Sequence, residues 1–390
     1  MTRPYARSGW ALLLPLFFFI AAFFVAPIGA MLIKSVYDPE VASLLPATSR
    51  SLVHWQDETL LPSSPAFDAL ADDLRALDRD DHVSQLGLRM NRLQPGLGDL
   101  LQRSALKLHH DGTKLGDIDA QWSDPATWRT LKTATSVFTP RYLLNAVDLV
   151  LDKDGSVIRQ PEERQIYVRL FVRTIAVAVI VTLFCVALGY PFAYVLASAR
   201  RGYRTLLLFV VLMPFWTSLL VRTTAWIVLL QRRGVINEVL VAAHVIADNE
   251  RFALIYNFTG TIIVMVYVLL PFFVLPLQAV MRGMPPQYVR AAESLGGNPS
   301  RVFRRIYLPM TMPGVAAGAS LVFILSLGYY VTPALVGGRT GQLISNQIAY
   351  HIQTSLNWGM AAALGSILLL VVIMICFVLS RFARPGRLAS

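Results

Sequence analysis

The chain has 390 residues, 55% of them hydrophobic and only 15% charged, with a net charge of +11 and a mean hydropathy of +0.53. The apolar residues gather in blocks of about 20 or more, which excludes a single soluble globular core and marks membrane spans. The basic excess flanks those blocks, so lipid headgroups and topology account for it, and nucleic acid is not expected as a partner.

Six apolar blocks follow in chain order, at about 10–33, 168–198, 205–230, 253–280, 312–335 and 358–381. Each is long enough to cross a hydrocarbon layer of ~30 Å as a helix. A backbone in lipid must satisfy its own polar groups, so helix is expected in all six. The first block is longer than the apolar core of a signal peptide and lacks a clear small-residue cleavage site after it, so a retained span is expected. Cys185 and Cys376 both lie inside apolar blocks and read as small hydrophobes, not as a disulfide or metal pair.

Charge sets the expected orientation. Arg3 and Arg7 precede the first block; Arg200, Arg201 and Arg204 follow the second. Arg282, Arg290, Arg301, Arg304 and Arg305 lie between the fourth and fifth, and Arg381, Arg384 and Arg387 flank the end of the sixth. All four groups fall on one side of a six-span chain, which predicts cytoplasmic termini. Arg232 and Arg233 dissent on the opposite side.

Residues 38–165 carry 20 acidic and 14 basic residues, net −6, against +17 for the rest. The expected division is therefore a terminus and first span at 1–33, an extracytoplasmic insertion at 34–167, and a five-span core at 168–390. The insertion should be folded and mixed α/β. Ser64-Pro65 suits a helix start, with Phe67, Leu70, Leu74 and Leu77 at helical spacing. Leu97, Leu100, Leu101, Ala105 and Leu108 predict a second amphipathic helix, and Asp124-Pro125 starts a third. Residues 149–151 and 156–158 predict a hairpin around Asp152-Lys153-Asp154-Gly155. That run favours a turn over a calcium loop, because EF-hand spacing places Pro161 where a bidentate Glu is required.

Residues 281–312 carry the functional argument. Pro286 suits the first turn of a short helix, whose narrow apolar face is Tyr288, Ala291, Ala292 and Leu295. Gly296-Gly297 supplies a left-handed stop; Asn298 caps a second helix with Pro299 at its first position. Val302, Phe303 and Ile306 form its apolar side, and Pro309 should break it before the next span. Lipid contact alone would explain the basic residues, but not a small-residue face ending in a sharp turn. Such a face suits a groove on another protein.

Ala291-Ala292, Gly296 and Ile306-Tyr307-Leu308-Pro309 resemble the "EAA" loop of ABC-importer permeases. Pro191-Phe192-Ala193-Tyr194, the run from Pro214-Phe215-Trp216-Thr217-Ser218 to Arg222-Thr223, Ala225-Trp226-Ile227, residues 267–272 and residues 331–338 are similar to the spermidine/putrescine-type subfamily. The resemblance implies an all-α, six-span type I permease in a bacterial inner membrane. It also implies an ATPase dimer, a second and different permease chain, and a periplasmic binding protein. Arg290, Ala291, Ala292, Glu293, Leu295, Gly296 and Asn298 would then couple to the ATPase. ATP and Mg would bind that partner, since no G-x-x-x-x-G-K-[ST] motif occurs in this chain. The family's leading Glu is Arg290 here.

Trp216, Thr217, Ser218, Arg222, Trp226, Tyr267, Tyr329 and Tyr330 are candidate solute-path residues, since aromatic faces attract amine cations. Packing and interface anchoring are the competing readings for the aromatics. Arg222 lies about 17 residues into the third block, near its outer end, where snorkelling competes with a path role. Polyamine permeases of the family often carry an acid near the Tyr329 position, and its absence leaves no carboxylate expected in the spans. The expected function is import of a polyamine or a related amine or amino-acid-like solute. The rivals are a secondary carrier and a membrane-anchored sensor. The first lacks intramembrane coupling charges; the second leaves the 281–312 loop unexplained.

Overall fold

The computed structural model describes residues 5–77, 80–110, 114–152 and 156–382. Arg3, Arg384, Arg387 and the turn at 153–155 lie outside the described residues. Contacts divide the chain into two compact units. One holds Met1–Asn145, Val150–Ser156 and Trp358–Ala363; the other holds Ala146–Leu149, Val157–Asn357 and Leu364–Ser390.

In the first unit, a helix runs from Tyr5 to Lys34, opening into a wide turn at Ala21–Val25 just before Pro27. Proline brings no N–H to the ladder, and the wide turn absorbs that loss. None of the side chains from 13 to 34 is buried.

The insertion that follows is helical. The expected helices stand at Ser64–Ala76, Leu97–His110 and Pro125–Thr135, with Asp124 accepting from the Ala126 N–H at 2.9 Å. The first begins one residue earlier than Ser64-Pro65 suggests, with Ser63 as its cap. Leu70, Leu74, Leu100 and Leu101 are fully buried around Trp122 and Trp128, whose rings are 5.6 Å apart. Both indoles are satisfied: Trp122 donates to Ser104 Oγ at 3.0 Å and Trp128 to the Trp122 carbonyl at 2.9 Å. The buried Asp73 carboxylate accepts from Ala47 N, Thr48 N and Thr48 Oγ1 at 2.7–3.1 Å. A carboxylate holding three donors fixes the preceding helix, Pro46–Val53, against this one. The β content of the described insertion is the two-stranded sheet Leu149–Leu151 and Val157–Arg159 and an isolated bridge between Tyr37 and Phe138.

In the second unit, Tyr167–Ser198, Phe258–Gly283 and Leu308–Gly328 pack around Phe273. Gly189 faces the Phe273 ring, and a Cβ at Gly318 would lie 2.8 Å from the Phe273 carbonyl. Small residues let these helices approach closely in lipid, where packing rather than hydrophobicity drives association.

Two expected spans change form. The third block is a bent pair, with 101° between Arg201–Trp216 and the helix from Leu219. Pro214 weakens the last turn of the first half, and Ser218 Oγ takes the Val221 N–H at 3.3 Å to start the second. Hydropathy does not register a cap, so the block reads as continuous. The fifth block ends at Gly328, and Val331–Val336 is a separate short helix. Among the described residues, five helices are long and apolar enough to cross a membrane, six if the bent pair counts as one span.

Candidate functional site

The loop between the fourth and fifth spans forms Gln287–Ser294 with Pro286 at its N-cap, then Pro299–Val302. The first helix closes as its glycines predict. Gly296 has φ +79°, and Gly297 N donates to the Ala292 carbonyl at 3.0 Å. Gly297 has no room for a Cβ, which would lie 2.7 Å from that carbonyl and 2.8 Å from Val302. Asn298 Oδ1 accepts from Ser300 N at 3.2 Å.

The helix Gln287–Ser294 buries no residue. Arg290, Ala291, Glu293, Leu295, Gly296 and Asn298 are exposed, and Ala292 is half-buried. Leu295 is 89% exposed, a bare leucine at the tip of an ordered turn. Apart from half-buried Ala292, the apolar face expected on Tyr288, Ala291, Ala292 and Leu295 therefore has no cover from the described residues.

The second helix is tied down. Val302 is buried, and Phe303 stands edge-on to Tyr190 and Tyr194, 6.2 Å from each, while stacking on Tyr307 at 5.7 Å. Tyr190 also bonds Thr311 Oγ1 at 3.0 Å. Pro309 does not break the helix as expected. A wide turn at Phe303–Tyr307 accommodates the missing N–H, and the helix continues into Leu308–Gly328. The exposed turn is thus joined to the fifth span without interruption and to the second span by aromatic contacts. The loop's own pattern does not announce the Phe303 contacts; the tyrosines at 190 and 194, one helical turn apart, are the sequence signal for them.

The solute-path candidates are only partly brought together. Trp226 meets Tyr267 at 5.1 Å, and Trp226 and Tyr329 pack against Leu230, Val264, Val268 and Val336. Trp216, Thr217 and Ser218 lie exposed at the bend, with Trp216 against Phe209 at 4.7 Å. Tyr330 stays exposed, its carbonyl accepting from Asn346 Nδ2 at 2.9 Å. Arg222 is not near the end of a straight helix: it sits in the first turn after the bend, half-buried, with its Nε buried and unbonded. The fully buried Thr332 hydroxyl is likewise unbonded, a feature hydropathy passes over. Among the described residues, the helices Tyr167–Ser198, Arg201–Trp216, Leu219–Leu230, Phe258–Gly283 and Leu308–Gly328 contain no Asp or Glu.

The loop beyond the bend is fixed by its own polar bonds. Asn237 bonds both backbone groups of Phe252 at 3.0 Å. Arg251 bonds Glu238 and Asp248, each at 2.8 Å, and these two carboxylates, Glu238 foremost, hold its pKa above the ordinary arginine value.

Apolar helices packed through glycines, with an ordered and exposed helix–turn between two of them, define a multi-span membrane protein. Residues 189–384 match the family model described as "Binding-protein-dependent transport system inner membrane component". The spermidine/putrescine transport system permease protein PotB of Salmonella typhimurium is 32% identical over 256 residues, covering 64% of this chain and 88% of that one. PotB of Escherichia coli K12 is 32% identical over 256 residues, covering 64% and 92%. A crystal structure of a bacterial ABC transporter for alginate import superposes with a TM-score of 0.46 at 18% identity, over 58% of this chain and 82% of that one. The chain belongs to the binding-protein-dependent inner-membrane permease family: it is a multi-pass permease subunit of an ABC importer, and the family implies ATPase and binding-protein partners.

Proposed function

We propose that this chain forms one half of the translocation path of an importer for polyamines such as putrescine and spermidine, or for a related amine. Its partners are an ATPase dimer that binds ATP and Mg, a second and different permease, and a periplasmic binding protein. The observation that carries this reading is the uncovered helix Gln287–Ser294 with Leu295 at its tip, joined through Phe303 to the second span. The similarity to PotB supports the solute class.

In this mechanism, ATP closes the ATPase pair around the 287–298 turn. The turn moves the second and fifth spans, and the path opens outward to a docked binding protein. Both termini lie in the cytoplasm and the 34–167 insertion lies outside, where its acidic surface helps to seat the binding protein. With no carboxylate on the described helices named above, aromatic faces such as those of Trp226 and Tyr267 meet the amine.

The test is uptake of labelled putrescine and spermidine by cells with and without the chain, in competition with unlabelled amino acids. Polyamine uptake that disappears with the chain and resists the competitors supports the reading. Uptake unchanged by loss of the chain contradicts the solute assignment.

A further inference from the structure

The outer end of the first span is bound into the insertion by several separate contacts. Lys34 ends the span helix, and within four residues the chain enters a bridge between Tyr37 and Phe138. Asp38 N donates to the Val137 carbonyl and Thr139 N to the Val36 carbonyl, each at 2.8 Å. The Tyr37 and Phe138 rings meet edge-on at 5.4 Å. Arg89, from the helix Asp80–Leu93, pairs with both Asp38 and Glu40, and the Tyr142 hydroxyl donates to Asp38. Asp38 thereby ties together three separate stretches of the insertion.

The start of the last span belongs to the same cluster. The Tyr142 ring lies against Gly359 so closely that any Cβ there would collide with it. The Lys34 ammonium sits 5.5 Å from the Trp358 ring centroid. Met360, Ala361, Ala362 and Ala363 are buried. Contacts at Trp358 and Gly359 come from Lys34 and Tyr142, so the end of the first span and a distant stretch of the insertion both meet the start of the last span.

We propose that this cluster is a permanent joint: the insertion and the outer ends of the first and last spans move as one lever throughout transport. A charge pair alone at a surface would hold little. Here two backbone hydrogen bonds, a ring pair, a close glycine contact and a doubly engaged carboxylate act together. A force applied to the insertion is delivered to two spans at once. The proposal rests on the importer reading for its function, but the joint is read independently below.

Tyr37 and Phe138 face each other at a position flanked by, and not itself making, the two backbone bonds. Such pairs have Cα atoms about 4.5 Å apart, within disulfide range. The chain carrying Tyr37→Cys and Phe138→Cys, with Cys185→Ala and Cys376→Ala, is assembled with its partners in proteoliposomes. Locking with a mild oxidant leaves uptake at the level of the reduced sample if the joint never opens. Uptake lost on oxidation and restored by reductant overturns the proposal. Spin labels at Ile33 and Leu106, both exposed, read the joint without reference to transport. Their distance peak stays in place between nucleotide-free and ATP-trapped complexes if the joint is permanent, and broadens when Arg89→Ala and Tyr142→Phe are introduced together. A peak that shifts with nucleotide overturns it. Absence of ATP-dependent uptake in the reduced and parent samples counts against the importer reading alone, since the label distance still decides the joint.

Discussion

Phe303 stands 6.2 Å from Tyr194, ring edge to ring face, and so ties the helical segment that follows the Leu295 turn to the second span. Aromatic pairs of this geometry contribute roughly 0.5–1.5 kcal/mol beyond their burial. Phe303→Ala should therefore leave the subunit assembled but weaken communication between loop and spans. The expected result is a several-fold fall in solute-stimulated ATP hydrolysis, with basal hydrolysis little changed. Phe303→Leu should recover part of it.

Gly318 and Gly202 make a matched test of packing. A Cβ at Gly318 meets the Phe273 carbonyl at 2.8 Å, whereas one at Gly202 meets nothing within 4 Å. Gly318→Ala should cost about 2 kcal/mol through overpacking. Gly202→Ala should be neutral or stabilise by about 0.5–1 kcal/mol. Thermal unfolding of the detergent-solubilised subunit distinguishes the two.

Asp73 holds three donors inside the insertion. Asp73→Ala strands the Thr48 and Ala47 N–H groups and should destabilise by about 2–4 kcal/mol. Asp73→Asn keeps one acceptor oxygen and should cost less. Protease accessibility of the 46–76 region reads the difference.

Tyr142 gives a pH dependence with a defined sign. Burial first, and then its bond to Asp38, hold its phenol above the ordinary value of 10.0. A proton held more tightly in the folded chain stabilises it fully below the unfolded pKa, and that contribution is lost as pH rises through the folded one. The melting temperature should therefore fall on the alkaline side of pH 10, by less in Tyr142→Phe than in the parent. Equal falls in both would place the alkaline loss elsewhere.

Much of the architecture was legible because long apolar blocks have one solution in lipid, and because Gly296-Gly297, Asn298 and Asp124-Pro125 are local signals with local causes. The failures share a reason. The break at Thr217–Ser218 and the continuation through Pro309 are decided by which N–H groups find acceptors, a property that a hydropathy profile averages away. Arg222 moved from a span end to the turn after a bend for the same reason. The grouping of Trp226, Tyr267 and Tyr329, and of Asp38 with Arg89 and Tyr142, joins residues far apart in the chain, and no periodicity announces it.

The bare turn at Leu295 is proposed as the place where this subunit meets the ATPase. The most direct measurement places a photo-crosslinking amino acid at position 295 and irradiates membranes containing the assembled transporter. The expected result is an adduct with the ATPase subunit whose yield changes with bound nucleotide, and none from the same residue placed at exposed Leu188 in the second span. Adducts formed only with lipid at position 295, in the presence of the ATPase, would contradict it.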